Sequence, residues 1–408
     1  MSKEKVQYYT SLEVGSAKVV MALGRVSGEK LEIVSVVQLA HKGIHQGQII
    51  DAREITTAIH KIKTELEITH DVVIKDVYAS VADITLESIN AKGVLSIKKV
   101  VTAKDIELVK KVGEDLVPLR SDRQILHHST HFFKIGSQKH FKAPLGQKTT
   151  SLEVHSQLIV GAKKILQTIR DCAAHSNINI LEFLPQPMAC SEVLLTAEDK
   201  EMGIAVIDMG GAMTQLIVYK ESKMVLCQTL PIGGSHFTND LAVGLRTPQA
   251  SAEKIKKNNG AALVDLISED EKVEVESLKG DGMQVVSAKL VAEILEARSE
   301  ETLGLILRKL NDEGLLGHIK GGLVLTGGGS QLPGLAELGE FTFDIPIRRG
   351  GVNNVLSTNP LAQGPAISVT VGLLQHARNR QSFESSEFLS DTFKETFNRI
   401  KNYFENLL

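Results

Sequence analysis

Three glycine-rich turns, LEVGSAK at 12–18, VIDMGGAMT at 206–214 and VLTGGGSQLPG at 324–334, each follow a short apolar run of β character. A strand ending in such a turn leaves backbone N–H groups unpaired and free of Cβ obstruction, so the turn can close around phosphate oxygens. An ordinary β-turn accounts for any one of them; three in series imply a cleft.

The first two turns share a plan: apolar strand, carboxylate (Glu13, Asp208), one residue, glycine (Gly15, Gly210), then a small or hydroxyl residue and a returning strand. This is the pattern of a duplication. Two related hairpins facing each other would grip a nucleotide from both sides, with Asp208 holding the water shell of Mg²⁺ and the third turn meeting the nucleoside. Ser16 and Lys18 are candidates for the β- and γ-phosphates, the hydroxyl as donor and the ammonium as point charge; a solvated lysine on a β-edge is the bland alternative.

In this order the motifs resemble the actin, hexokinase and heat-shock ATPase superfamily, and within it the FtsA family of actin-like bacterial cell-division proteins. SLEVG (11–15), KGIHQGQIID (42–51), GIAVIDMGG (203–211), AEKIKKNNGAAL (252–263), GLVLTGGGSQLPGL (322–335) and VTVGLLQHA (369–377) carry the resemblance over nearly all of 6–376. It implies an α/β, actin-like fold of two duplicated ribonuclease-H-like domains, with an inserted subdomain of the 1C type and a C-terminal amphipathic helix. It also implies ATP and Mg²⁺ as cofactors, with Asp208 and, through water, Glu13 toward the metal.

The resemblance assigns Gly15, Ser16, Ala17, Lys18, Asp208, Gly210, Gly211, Ala212, Thr214, Gly234, Glu253, Lys256, Gly327, Gly328, Gly329 and Ser330 to the nucleotide. Where the family pattern has three consecutive glycines, this chain reads Gly210-Gly211-Ala212. If that position requires φ > 0, alanine costs about 1 kcal/mol or more and crowds the γ-phosphate, so binding survives while hydrolysis slows. Gln186 aligns with the actin glutamine that orients the attacking water, and equally reads as the residue that opens the PQPMACSEVL helix. Glu253 and Lys256 lie at i and i+3 on one helix face, placed by the resemblance against ribose and adenine and equally readable as a surface ion pair. The expectation is a scaffold with at most weak ATPase activity.

Length and composition agree with this. A chain of 408 residues is long enough for two or three domains, and 42% hydrophobic with 4% aromatic residues calls for cores of Val, Ile, Leu and Ala, as α/β layers use. Lys+Arg of 46 against Asp+Glu of 49 offers no field for nucleic acid, so no nucleic-acid partner is expected. Cys172, Cys190 and Cys227 are far apart in apolar patterns and read as buried thiols, neither a disulfide framework nor a zinc site. His127, His128 and His131, with Asp122 the nearest carboxylate, read as ordinary strand and loop histidines rather than metal ligands. The N-terminus enters a strand without a signal-peptide core, and no 18-residue apolar run occurs.

Along the chain, strands are expected at 6–13, 18–26 and 31–39, then a helix opened by Asp51 and Glu54 with a core stripe of Ile55, Ile59, Ile62 and Leu66. The expected first half comprises 1–82 and 161–202, with 366–377 packing back on it, and is interrupted by the subdomain 83–160. That insert contains a helix opened by Thr102 and Asp105 and a loop near Gly136–Gly146. The second half comprises 203–232 and 311–365, interrupted by a mostly helical nucleotide- and FtsZ-facing subdomain, 233–310. It closes with an amphipathic run from Ser287 through Leu290, Ile294, Leu303, Ile306 and Leu307 to Leu310. A polar linker, 378–389, leads to the tail.

In the tail, 390–408, Phe393, Phe397, Ile400, Phe404, Leu407 and Leu408 form one apolar face opposite Lys394, Arg399, Lys401 and Glu405. Such a helix docks on a core or lies on a membrane surface. Its charges balance at three basic against three acidic, so insertion relies on apolar burial, and many tails on one filament would hold by avidity. By resemblance, the partners are a second copy of the chain in head-to-tail filaments, the C-terminal peptide of tubulin-like FtsZ, the membrane lipid surface and later division proteins. The place is the cytoplasmic face of the bacterial inner membrane at the division site. The rivals are a PilM-like peptide-binding protein of pilus assembly and a small-molecule kinase of the same superfamily.

Overall fold

The apolar runs that precede the glycine turns form the central strands of two sheets. The computed structural model describes residues 7–27, 30–278, 280, 282–352, 355–357 and 359–380; the tail stripe from Phe393 to Leu408 lies outside the described residues. The first sheet runs, in spatial order, Asn179–Phe183, Asp76–Val81, Gln7–Val14, Lys18–Ser27, Lys30–Ala40 and Leu356–Ser357. The second runs Ile347–Arg349, Leu323–Thr326, Ile204–Met209, Thr214–Lys220 and Lys223–Leu230, and continues into strands of the first insert. Each sheet has an antiparallel three-strand meander with two parallel strands beside its first strand. This repeated order is the duplicated ribonuclease-H-like, actin-like fold.

Strands Ile204–Met209 and Leu323–Thr326 are buried at every position, as strands covered on both faces must be. Helix Ala288–Asp312 covers one face of this sheet, with Leu295, Leu303, Ile306 and Leu310 fully buried there. On the first sheet, helix Ala52–His70 supplies Ile55, Ile59, Ile62 and Leu66 to a core shared with helix Lys163–His175. Asp51 caps the former by accepting the Arg53 N–H at 2.9 Å.

A helix over 368–380 lies between the two sheets. Val369 and Leu373 join the core on the second sheet, while Val371 and Leu374 join the core on the first. Gly372 permits this, because a Cβ there would lie 1.8 Å from the Ala189 carbonyl oxygen of helix Gln186–Leu194.

The insert expected at 83–160 adds strands Glu87–Val100, Lys148–Ala162, Arg123–Ile135 and Gln138–His140 to the second sheet, joined through the pair Gln228 and Glu87. Its helix Ala103–Asp115 opens on a reciprocal Thr102–Asp105 capping box. The short strand Gln138–His140 occupies part of the expected Gly136–Gly146 loop.

Between Gly233 and Leu310 the chain is mostly helical, as expected, with one hairpin that the pattern did not single out. Lys272–Glu276 and Met283–Ser287 form an antiparallel hairpin, with Val273 and Val275 buried at alternate positions of KVEVE. Leu290 departs from the expected core stripe: it is 40% exposed, whereas Val291 beside it is buried.

All three cysteines are free and buried. His128 bonds Glu114 and Ser156, and His131 bonds the Met224 carbonyl 2.7 Å away. Burial pushes the His127 imidazole down to about 4. Among the described residues no group of three or more His, Cys, Asp or Glu side chains is placed to hold a metal ion, and no helix is long and apolar enough to cross a membrane.

Candidate functional site

The duplication brings its two glycine turns face to face. In each, the glycine N–H bonds a carbonyl three residues on: Gly15 to Lys18 at 3.0 Å and Gly210 to Met213 at 2.9 Å. A Cβ built on Gly211 would lie 3.4 Å from the Ala17 Cβ and 3.8 Å from the Ser16 Cβ, so the tips of the turns face each other.

The third turn closes against the second. Gly327, at φ +81°, sits where a Cβ would be 2.3 Å from Asp208 Oδ1, and only glycine fits both the backbone and the space. Gly329 packs on Met209, while a Cβ on Gly328 would meet nothing within 4 Å. Ser330 is fully buried and donates to the Gly327 carbonyl at 2.8 Å, bracing the turn from inside.

Beneath the turns lie two buried carboxylates, Glu13 at the end of Gln7–Val14 and Asp208 at the end of Ile204–Met209. Burial, reinforced by the charge of Glu13, pushes Asp208 up to about 7. Burial also raises Glu13, against the opposing Thr370 hydrogen bond and the charge of Lys18. The Cys190 thiol stands 3.8 Å from Asp208 Oδ2, and the Thr370 hydroxyl of the 368–380 helix donates to Glu13. Two hard oxygen donors whose negative charge is under-compensated fit a hydrated Mg²⁺.

Cations border the turns from both halves. Lys18 donates to Gln38 Oε1 at 2.8 Å and to the Ala366 carbonyl at 3.3 Å. Its pKa is lowered by burial, against the opposing charge of Glu13, and in the smallest part by repulsion from Lys257 of helix Gln249–Asn259 in the other half. Lys257 is a residue that motif reading passes over, since it stands one position beyond the Glu253–Lys256 pair. Its signal exists only across the cleft.

The remaining predicted residues lie beside the second turn or in the interior. Lys256 bonds the Gly234 carbonyl and the Thr238 hydroxyl, both at 2.8 Å, and pairs with Glu253 at 2.6 Å. Gly234 donates to the Gly210 carbonyl at 2.9 Å. Thr214 is fully buried and donates to the Ile232 carbonyl at 2.7 Å, so its hydroxyl proton faces the protein. Gln186 is buried as the first residue of Gln186–Leu194, after Pro185.

Ala212 does not meet the condition on which its strain depended. It is absent from the positive-φ positions, and its methyl packs with Ala82 and Met213. The strain anticipated for alanine at this place does not arise, because the turn is built from ordinary backbone conformations.

Comparison with known proteins agrees with this architecture. A family model described as "Cell division protein FtsA" matches residues 205–372, and one described as "SHS2 domain inserted in FTSA" matches 84–160. The cell division protein FtsA of Neisseria meningitidis serogroup B is 29% identical over 378 residues, covering 92% of this chain and 91% of that one. Among solved structures, the PilM-PilN type IV pilus biogenesis complex superposes with a TM-score of 0.64 at 15% identity, covering 90% of this chain and 97% of that one. MreB 5 of Spiroplasma citri bound to AMPPNP gives 0.52 at 14% identity, covering 93% and 99%. The two structural likenesses establish the fold alone.

Proposed function

The chain belongs to the FtsA family of cell-division proteins, and from that premise we propose that it binds ATP with Mg²⁺ between its two halves and works as a membrane-tethered scaffold of the division machinery. The observation that carries the nucleotide part is the opposition of the Gly15–Lys18 and Gly210–Met213 turns, with Gly211 facing Ser16 and Ala17, above the carboxylates Glu13 and Asp208. Such a pair of turns offers backbone donors to a triphosphate from both sides. Mg²⁺ would supply charge neutralisation between the phosphates and Asp208, with Glu13 acting through water. Lys18, which feels the charge of Lys257, would gain from an anion between the two.

In this reading Glu253 and Lys256 flank the nucleoside from one side and Gly327, Gly328 and Gly329 from the other. Gln186 is the candidate to orient water, and hydrolysis is slow at most. Nucleotide occupancy, which joins the halves, biases head-to-tail assembly. The segment 390–408 inserts Phe393, Phe397, Ile400, Phe404, Leu407 and Leu408 into the inner face of the cytoplasmic membrane. One such segment holds weakly and an array holds firmly. The segment 233–310 takes the FtsZ C-terminal peptide, and the assembled scaffold gathers later division proteins.

Three measurements test this reading. A pull-down with an FtsZ C-terminal peptide should retain the protein, and liposome co-sedimentation should be lost on removing 390–408. Titration with Mg·ATP should saturate. Retention of lipid binding by the truncated chain would remove the anchor role, and vigorous phosphoryl transfer to a sugar or acid would move the protein to the kinase class.

A further inference from the structure

His41 follows directly on the strand Lys30–Ala40 and is 8% exposed, beneath the first glycine turn. Its backbone N–H donates to the Ala17 carbonyl at 3.2 Å, and its ring Nε2 lies 2.9 Å from the Gly15 carbonyl oxygen. The other ring nitrogen, Nδ1, accepts the Gly43 N–H at 3.1 Å. A carbonyl on one nitrogen and an N–H on the other are satisfied together only by the neutral ring with its proton on Nε2. Burial holds the imidazole below its ordinary range. Glu54 of helix Ala52–His70 opposes that shift, as does the Gly15 carbonyl, and Lys18 on the neighbouring strand acts through its backbone.

The second turn shows what this arrangement is for. There the carbonyls of Gly210 and Gly211 accept backbone N–H groups from Gly234 and Ser235, at 2.9 and 2.7 Å, just after the third strand of that half's meander. The first half has no helix start at the equivalent place, and the imidazole of His41 supplies the donor. In a trans peptide the C=O and N–H point in opposite directions. Holding the Gly15 carbonyl toward His41 therefore turns the Ser16 N–H away from it, as a donor for an anion in the cleft.

We propose that His41 is the positioning residue of the first phosphate turn, fixing the Gly15–Ser16 peptide so that its N–H serves the nucleotide. The inference rests on the nucleotide reading above and adds to it a residue outside the glycine motifs. Neutral imidazole is the working form.

The test compares the full-length protein with His41→Phe, which keeps a ring but no donor, and His41→Gln, whose amide nitrogen reaches about as far as Nε2. Mg·ATP affinity is measured beside urea denaturation. H41F should weaken Mg·ATP binding about tenfold or more, and H41Q should stay within about threefold of the parent. Should H41F fail to fold, His41→Asn, whose shorter amide does not reach the Gly15 carbonyl, takes its place against H41Q. Equal affinity in the parent and in the donorless variant overturns the inference alone. A parent that does not bind Mg·ATP overturns the nucleotide reading and the inference with it. Nitrogen chemical shifts of His41 in the nucleotide-free protein give an independent readout: a proton on Nδ1 would also overturn it.

Discussion

The Asp83 carboxylate accepts the backbone N–H of Ala162 at 2.8 Å, so the point where the chain enters the inserted subdomain holds the point where it leaves. Asp83 is 1% exposed, its other oxygen accepts the Thr85 N–H and hydroxyl, and its backbone carbonyl accepts from Thr229 of the second half. One residue thus pins both crossovers to the main sheet. Asp83→Ala leaves the Ala162 N–H without this acceptor and should lower stability by about 2–3 kcal/mol in urea denaturation. It should also open 83–87 to limited proteolysis. An unchanged midpoint would show that the junction is held elsewhere.

Gly233 is where the second glycine turn meets the helix that follows. A Cβ there would lie 2.5 Å from the Met213 nitrogen and 2.8 Å from the Gly210 oxygen, both backbone atoms with nowhere to go. Gly233→Ala should cost about 1–3 kcal/mol and weaken Mg·ATP binding, whereas Gly328→Ala, with open space at its Cβ, should stay within about 0.5 kcal/mol of the parent. Thermal melts and a nucleotide titration on both variants decide it. Equal behaviour of the two would refute the packing argument.

Restoring a third consecutive glycine at Ala212 should not help. The methyl is buried among Ala82 and Met213 at a position that needs no positive φ, so Ala212→Gly loses packing and loosens the unfolded chain. The expected loss is about 1 kcal/mol of stability, without faster hydrolysis. A more stable or more active A212G protein would mean that alanine strains the turn after all.

Asp208 links stability to pH. Its native carboxyl titrates at about 7, against 3.8 ordinarily, so between about pH 4 and pH 7 the folded state binds the proton that the unfolded state releases. Stability of the metal- and nucleotide-free protein therefore falls as pH rises through that window and levels off above it. Asp208→Asn should be more stable than the parent at pH 8, with the difference shrinking toward pH 4. Parallel denaturation curves at both pH values would contradict the assignment.

Local order was legible where a short-range signal was strong. The spacing of Ile55, Ile59, Ile62 and Leu66 marks a helix face because the α-helix repeats every 3.6 residues, and Thr102 with Asp105 marks a helix start because each satisfies a donor of the other. The duplicated strand-turn plan around Gly15 and Gly210 marks two equivalent units. The hairpin over 272–287 also left a signal, the alternation in KVEVE, overshadowed by the longer helical run that follows. Leu290 shows the limit of periodicity: it belongs to an apolar series, yet the edge of the stripe faces solvent.

By itself, then, the sequence determined the central strands, the capped helices and the paired glycine turns, since these depend on backbone sterics and on patterns within a few residues, while the order of those motifs and their resemblance to a known family implied the actin-like class. Only tertiary structure decided which groups work together. His41 meets Gly15 across 26 residues, Thr370 meets Glu13 across 357, and Lys18 senses Lys257 from the opposite half. Burial, charge coupling and the direction of a peptide N–H are set by neighbours in space, and no spacing along the chain encodes them.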